Sequence, residues 1–217
     1  MRAANLNAPL ALDPVPRFGD RRRARIGLLG GSFNPAHPGH RHVAELALRT
    51  LGLDQVWLVV SPGNPLKPRD GMAPLSQRLA SARTVGDGRR ILASALESRL
   101  GTRFTLDTLR LLRRRFPRVA FVWIAGADIL AQLPRWRNWR EIVHLVPFAI
   151  LPRPGYNHAA LAGPAASVLR AARWPARAAS VLARGSPPAW VFLPAPQHAA
   201  SASAIRATST SPRTHLP

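Results

Sequence analysis

Apolar residues gather in this chain into short, nearly unbroken runs, separated by segments whose apolar positions recur every three or four residues. "RIGLLGG" is one such run, stopped by paired glycines, and it reads as a buried strand from about Arg25 to Leu29. A helical stripe through His42, Val43, Leu46, Ala47 and Thr50 follows, with Gly52 as its stop. "DQVWLVVS" predicts a second buried strand, and the loop "PGNPLKPRDGMAP" after it is dense in prolines and glycines. "LSQRLASARTV" predicts a helix, "RRILAS" a weak strand, and "FTLDTLRLLRRRF" a strongly amphipathic helix with Thr105 near its start. The β-branched and aromatic run "VAFVWIAG" is the clearest strand, and "ADILAQL" opens a short helix behind it. "NWREIVHLV" predicts a helix, "FAILPRPG" a strand, Ala159 to Leu182 a helix interrupted at Pro164 and Pro175, and "AWVFLP" a last strand.

Strands that alternate with helices and are apolar almost throughout imply a sheet covered on both faces. The expected fold is therefore α/β, a single-domain, Rossmann-like, mostly parallel sheet with helices on both sides. Ligands of such sheets bind beyond the carboxyl ends of the strands, where the chain order reverses. The chemically suggestive residues fall at those places: Gly30 to His40 after the first strand, Ser61 to Lys67 after the second, Asp128 after "VAFVWIAG", and Ser201 to Arg206 after the last.

Composition narrows the classes. With 217 residues and 47% apolar content, one sizeable core is affordable. The absence of cysteine excludes disulfides, thiolate nucleophiles and Cys-ligated metal, and suits a cytoplasmic location. No apolar run approaches the roughly 20 residues of a membrane span, so no membrane partner is expected. Prolines and charges before Arg25 read as a disordered basic tail over residues 1–24, with a transit peptide as the alternative. The domain is expected over 25–206, with a flexible tail at 207–217. A formal charge of +21 invites a nucleic-acid reading. Yet Lys67 is the only lysine among the 31 basic residues and the arginines are scattered, which fits a general bias in residue usage. An anionic small substrate or a solvated surface accounts for the charge, and no specific nucleic acid is expected.

The segment "GGSFNPAHPGH", Gly30 to His40, concentrates the candidate chemistry. Its glycines let the backbone turn and approach a ligand, and its prolines stiffen a helix start, where free N–H groups attract anions. His37 and His40 lie one helical turn apart, so both rings can face one phosphate-sized site and donate hydrogen bonds to it. A cap or a surface pair is the ordinary alternative, and zinc would want a third ligand that the segment does not supply. The run is neither a Walker loop nor a dinucleotide fingerprint.

This segment resembles the GG[ST]F-[DN]-P-x-H-x-GH motif of the HxGH nucleotidyltransferase superfamily, and "SASAIR", Ser201 to Arg206, resembles that superfamily's second motif, ISSTxIR. "GTRFTLDTL", "FVWIAGADILAQLPRW" and "FAILPRPG" resemble segments of the bacterial nicotinate-nucleotide adenylyltransferase family, over about Arg25 to Arg206. The chain departs from the pattern at Ala202, Leu66, Ile129 and Phe104, and keeps a hydroxyl at Ser203. The resemblance implies transfer of AMP from ATP to nicotinate mononucleotide, with Mg2+ accompanying the ATP. It implies phosphate contacts from His37, His40, Ser203 and Arg206, and nucleotide approach at Gly30, Gly31, Ser32 and Phe33. It implies substrate contacts from Asn34, Lys67, Thr105, Asp128 and Trp136, with Trp136 stacked on the pyridine and one of Trp136 and Trp139 in the core. A cap on the next helix is the ordinary alternative for Asp128, compatible with a substrate contact. Rivals are a related transferase for nicotinamide mononucleotide, phosphopantetheine or a polyol phosphate, and a basic binding protein on the same fold. A homo-oligomer stays open.

Overall fold

The computed structural model describes residues 13–63 and 71–196. Seven strands, β1 (Ala24–Gly31), β2 (Gln55–Val60), β3 (Ile91–Ser94), β4 (Val119–Gly126), β5 (Phe148–Leu151), β6 (Arg173–Trp174) and β7 (Trp190–Phe192), form one sheet in the order β3-β2-β1-β4-β5-β7-β6. Every pairing among the described residues is parallel. The helices are α1 (Pro38–Thr50), α2 (Leu75–Val85), α3 (Leu96–Leu100), α4 (Thr105–Arg115), α5 (Ala127–Gln132), α6 (Trp139–Leu145), α7 (Asn157–Leu161) and α8 (Pro164–Val168).

The continuous apolar runs now have their cause. Alternate residues of each strand point to opposite faces, and both faces are covered. Ile26, Leu28, Trp57, Trp123 and Phe148 pack under α3 to α8. Leu29, Leu58, Val122 and Ala149 pack under α1, α2 and a 3-10 segment, Ala176–Arg184. The chain runs outward from β1 through β2 to β3, then returns to lay β4 against the other side of β1. That reversal opens a crevice at the carboxyl ends of β1 and β4.

Three expectations need correction. The Ala-rich stretch is not one interrupted helix: it divides into α7, α8, two 3-10 segments and the short strand β6. Helix α3 was not expected. The tail assigned to residues 1–24 does not hold from Asp13 onward. Val15 is fully buried, and the Asp13 carboxylate accepts hydrogen bonds from the Ser94 hydroxyl at 2.8 Å and the Ala95 N–H at 2.8 Å and pairs with Arg99 at 2.9 Å. It caps the start of α3 from a distance in sequence, a task that proline-rich composition conceals.

Candidate active site

Strand β1 ends at Gly31, and the chain must turn at once into α1. Phe33 takes the left-handed conformation (φ 48°), and its buried ring lies 4.7 Å from the ring of His40, centre to centre. His37 is the residue before the first helical turn, and Pro38 supplies a preset φ at its start. The His37 and His40 rings are 3.9 Å apart. The spacing in sequence has thus brought the two imidazoles together at the crevice.

His40 is held in one protonation state. Its Nδ1 accepts the His37 backbone N–H at 3.2 Å, which leaves the ring proton on Nε2. Burial, followed by the neighbouring His37 and Arg153, lowers its pKa to about 3. Before any nucleotide arrives, His40 is therefore a neutral donor through Nε2.

Across the crevice, Asp128 lies in the first turn of α5, immediately after β4. Gly126, not Asp128, is the cap residue of that helix. The Asp128 Oδ1 atom is buried with no hydrogen-bond partner among the described residues, while Oδ2 faces Arg153 Nε at 3.7 Å. A buried acceptor without a donor is costly, so this carboxylate is suited to receive a hydroxyl from a ligand. Arg153, two residues past β5, approaches Asp128 and is one of the charges that lower the His40 pKa. It was not singled out from sequence, although it obeys the same rule, a polar residue just past a strand's carboxyl end.

Gly30 connects this region to the next. A Cβ there would meet the Trp123 ring at 2.9 Å, and Trp123 in turn meets Trp136 edge-on at 6.2 Å and 89°. Trp136 is half-buried and outside any helix, whereas Trp139 is buried on α6. The core member of the pair is Trp139. Beside Trp136, the Arg137 guanidinium lies 4.9 Å from the centre of the Phe104 ring and 3.8 Å from the Asp107 carboxylate. Phe104 precedes α4, whose first residue is Thr105, and the Phe104 side chain supplies no capping hydrogen bond. The Trp123–Trp136 contact and the Arg137–Phe104 contact thus lead from the sheet to the start of α4.

Below Thr105, Glu97 is buried, accepts from the Thr108 hydroxyl at 3.4 Å, and has its pKa pushed up to about 7 by burial. Asn34 is a different case from the expected substrate contact. It is buried, its Nδ2 donates to the Gly71 carbonyl at 2.9 Å, and its Oδ1 accepts from Ala73 N–H at 3.1 Å, so its amide holds one loop to another. Lys67, Ser203 and Arg206 lie outside the described residues. The last described residue, Pro196, meets His42 Nε2 on α1 through its carbonyl at 3.2 Å.

A family model described as cytidylyltransferase-like matches residues 28–208, a span that contains both sequence motifs. The chain belongs to that family. It is 58% identical over 206 residues to a protein of Gluconacetobacter diazotrophicus named as a probable nicotinate-nucleotide adenylyltransferase, covering 95% of this chain and 96% of that one. A Gluconobacter oxydans protein of the same name is 62% identical over 182 residues, covering 84% of this chain and 93% of its own. These relatives place the chain with the nicotinate-nucleotide adenylyltransferases of the family. Among solved structures, Plasmodium falciparum nicotinic acid mononucleotide adenylyltransferase complexed with NaAD superimposes with a TM-score of 0.64 at 18% identity, over 86% of this chain and 83% of that one. The likeness supports the α/β fold.

Proposed function

We propose that this enzyme transfers the adenylyl group of ATP to nicotinate mononucleotide, giving nicotinate adenine dinucleotide and pyrophosphate. The observation that carries the reading is the pair of imidazoles 3.9 Å apart at the start of α1, set at the reversal between β1 and β4. A phosphate oxygen of the mononucleotide attacks the α-phosphorus, a new P–O bond forms, and the bond to the β-phosphate oxygen breaks. The nucleophile is already ionised, so the protein's work is to place two polyanions and offset their charge.

His40, neutral and with its proton on Nε2, donates to oxygens whose charge grows in the transition state. His37 serves the same phosphates from one turn away, and Arg153 adds a guanidinium at the rim. The Asp128 carboxylate receives a ribose hydroxyl. Trp136 stacks on the pyridine, and the backbone N–H groups at the start of α4 meet the nicotinate carboxylate, an acceptor-only group that an amide would not replace. Ser203, Arg206 and Lys67 complete the phosphate contacts in this reading.

Among the described residues no three His, Cys, Asp or Glu side chains gather to hold a metal. In this reading Mg2+ arrives on the ATP phosphates with most of its waters. The ion would supply charge neutralisation on the departing pyrophosphate. We place the reaction in the cytoplasm, with its two nucleotide substrates. The test is pyrophosphate release by purified protein given ATP with nicotinate or nicotinamide mononucleotide, with and without Mg2+. Release is expected with the nicotinate form and Mg2+. Equal rates with both mononucleotides would overturn the substrate, and an unchanged rate after chelation would overturn the metal.

A further inference from the structure

Helix α2 carries a cation on its buried face. Leu75, Arg78, Leu79, Ala82 and Val85 recur at helical spacing, and of these Leu79, Ala82, Val85 and Arg78 itself are buried, Arg78 with 2% of its surface exposed. Its guanidinium reaches three separate stretches of backbone. Nη1 donates to the Ser32 carbonyl at 2.8 Å and the Ser61 carbonyl at 2.7 Å, Nη2 to the Pro62 carbonyl at 3.4 Å, and Nε to the Ala73 carbonyl at 2.8 Å.

Ser32 is the first residue after β1, and Ser61 the first after β2. One planar fork therefore joins the exits of two adjacent strands and the entry to α2. Other bonds close the same gap: Asn34 binds Gly71 and Ala73, and the Ser81 hydroxyl on α2 accepts the Ala36 N–H at 2.9 Å. Everything Arg78 holds on the β1 side lies between the strand and His37. The position of both imidazoles thus depends on the path of Ser32 to Ala36.

We propose that Arg78 is a positioning residue for adenylyl transfer, one that fixes the loop carrying His37 and His40 against the loop leaving β2. It touches no substrate. Its effect passes through backbone carbonyls, and that dictates what can replace it. A lysine retains the charge but offers its donors from a single point and cannot span three segments. Misplacement of reacting groups by about 1 Å can cost on the order of 10²-fold in rate. The inference rests on the reaction proposed above, and its test is arranged to read the two separately.

Arg78→Lys is compared with wild type and with Leu182→Ala, which opens the core where the 3-10 segment Ala176–Arg184 packs on the sheet. Hydrogen exchange, which requires no substrate, should quicken in Arg78→Lys at residues 31–36, 61–63 and 71–73 while the rest of the sheet keeps its protection. Pyrophosphate release, measured well below each melting temperature, should show kcat about 10–100-fold lower with both KM values little changed. Leu182→Ala should lose stability yet keep its kcat. Wild-type kcat in folded Arg78→Lys, exchange that rises uniformly, or an equal kcat loss in Leu182→Ala would each overturn the proposal. As a second variant, Arg78→Ala should regain kcat with millimolar guanidinium and not with urea; a melting temperature that recovers without kcat would overturn it too. A wild-type protein inactive on ATP and nicotinate mononucleotide would sink the assigned reaction and leave the exchange result to judge the loop contact.

Discussion

Trp136 and Trp139 are three residues apart, chemically identical and differently placed, so truncating each one separates stacking on substrate from packing in the core. Trp139 is 9% exposed, packs with Ile142 and Val143 on α6, and carries the Arg140 guanidinium 4.9 Å from its ring centre. Trp139→Ala should cost about 3–5 kcal/mol of folding stability. Trp136 is only half-buried, and its ring meets the perpendicular Trp123 ring at 6.2 Å. Such a pair contributes roughly 0.5–1.5 kcal/mol beyond area burial, and the half-buried ring removes less area from water than Trp139 does, so Trp136→Ala should lower the melting temperature by clearly less than Trp139→Ala. Its larger effect is on binding. Aromatic stacking on a base is worth about 1–3 kcal/mol, which converts to a rise of roughly 5–150-fold in KM for nicotinate mononucleotide. The KM for ATP should stay near wild type. Pyrophosphate release at saturating ATP, with a thermal melt of each variant, measures all three quantities. Trp136→Phe should recover most of the affinity. An unchanged mononucleotide KM in folded Trp136→Ala, or a stability loss equal to that of Trp139→Ala, would refute the assignment.

Other expectations concern single polar groups. His40→Ala should reduce kcat by about 10²–10³, the usual loss of one donor to a developing charge, with ATP affinity by calorimetry much less affected; a folded variant with wild-type kcat would contradict the role given to Nε2. Glu97 binds a proton more tightly in the folded state, with a pKa of about 7 against an ordinary 4.5. The stability this contributes is full below 4.5 and is lost as pH rises through 7. Glu97→Gln should therefore be more stable than wild type at pH 8, by at most about 3 kcal/mol, and less dependent on pH in urea titrations between 5 and 8; parallel curves for the two proteins would show that Glu97 is ionised when folded. Asp13→Ala strips a fully buried carboxylate from Arg99, Ser94 and the Ala95 N–H. A loss of about 3–5 kcal/mol is expected from the urea midpoint, and a change below 1 kcal/mol would mean that the segment does not hold α3 in solution.

What could be read from the sequence follows from which interactions leave a periodic trace. A parallel strand covered on both faces must be apolar throughout, so β1, β2 and β4 are legible as runs, and the rule of carboxyl ends points to His37, His40 and Asp128 as residues of one crevice. Spacing alone leaves the tryptophan pair open, and the fold decides it: Trp139, Ile142 and Val143 share the buried stripe of α6, and Trp136 precedes the helix. β6, two residues long, offers no run to detect. Asp13 and Val15 anchor a segment whose other residues look like tail, because one carboxylate and one side chain are enough to bind it and neither changes the composition. Arg78 is the instructive case. An arginine inside an apolar stripe is an anomaly that can be seen, but with a single lysine among 31 basic residues the arginine itself carries little information. What gives the residue meaning is a set of carbonyls contributed by three loops, and carbonyls are common to every residue type. A side chain whose partners are backbone groups leaves no complementary letter elsewhere in the sequence, so positioning residues of this kind emerge only when the fold brings those carbonyls together.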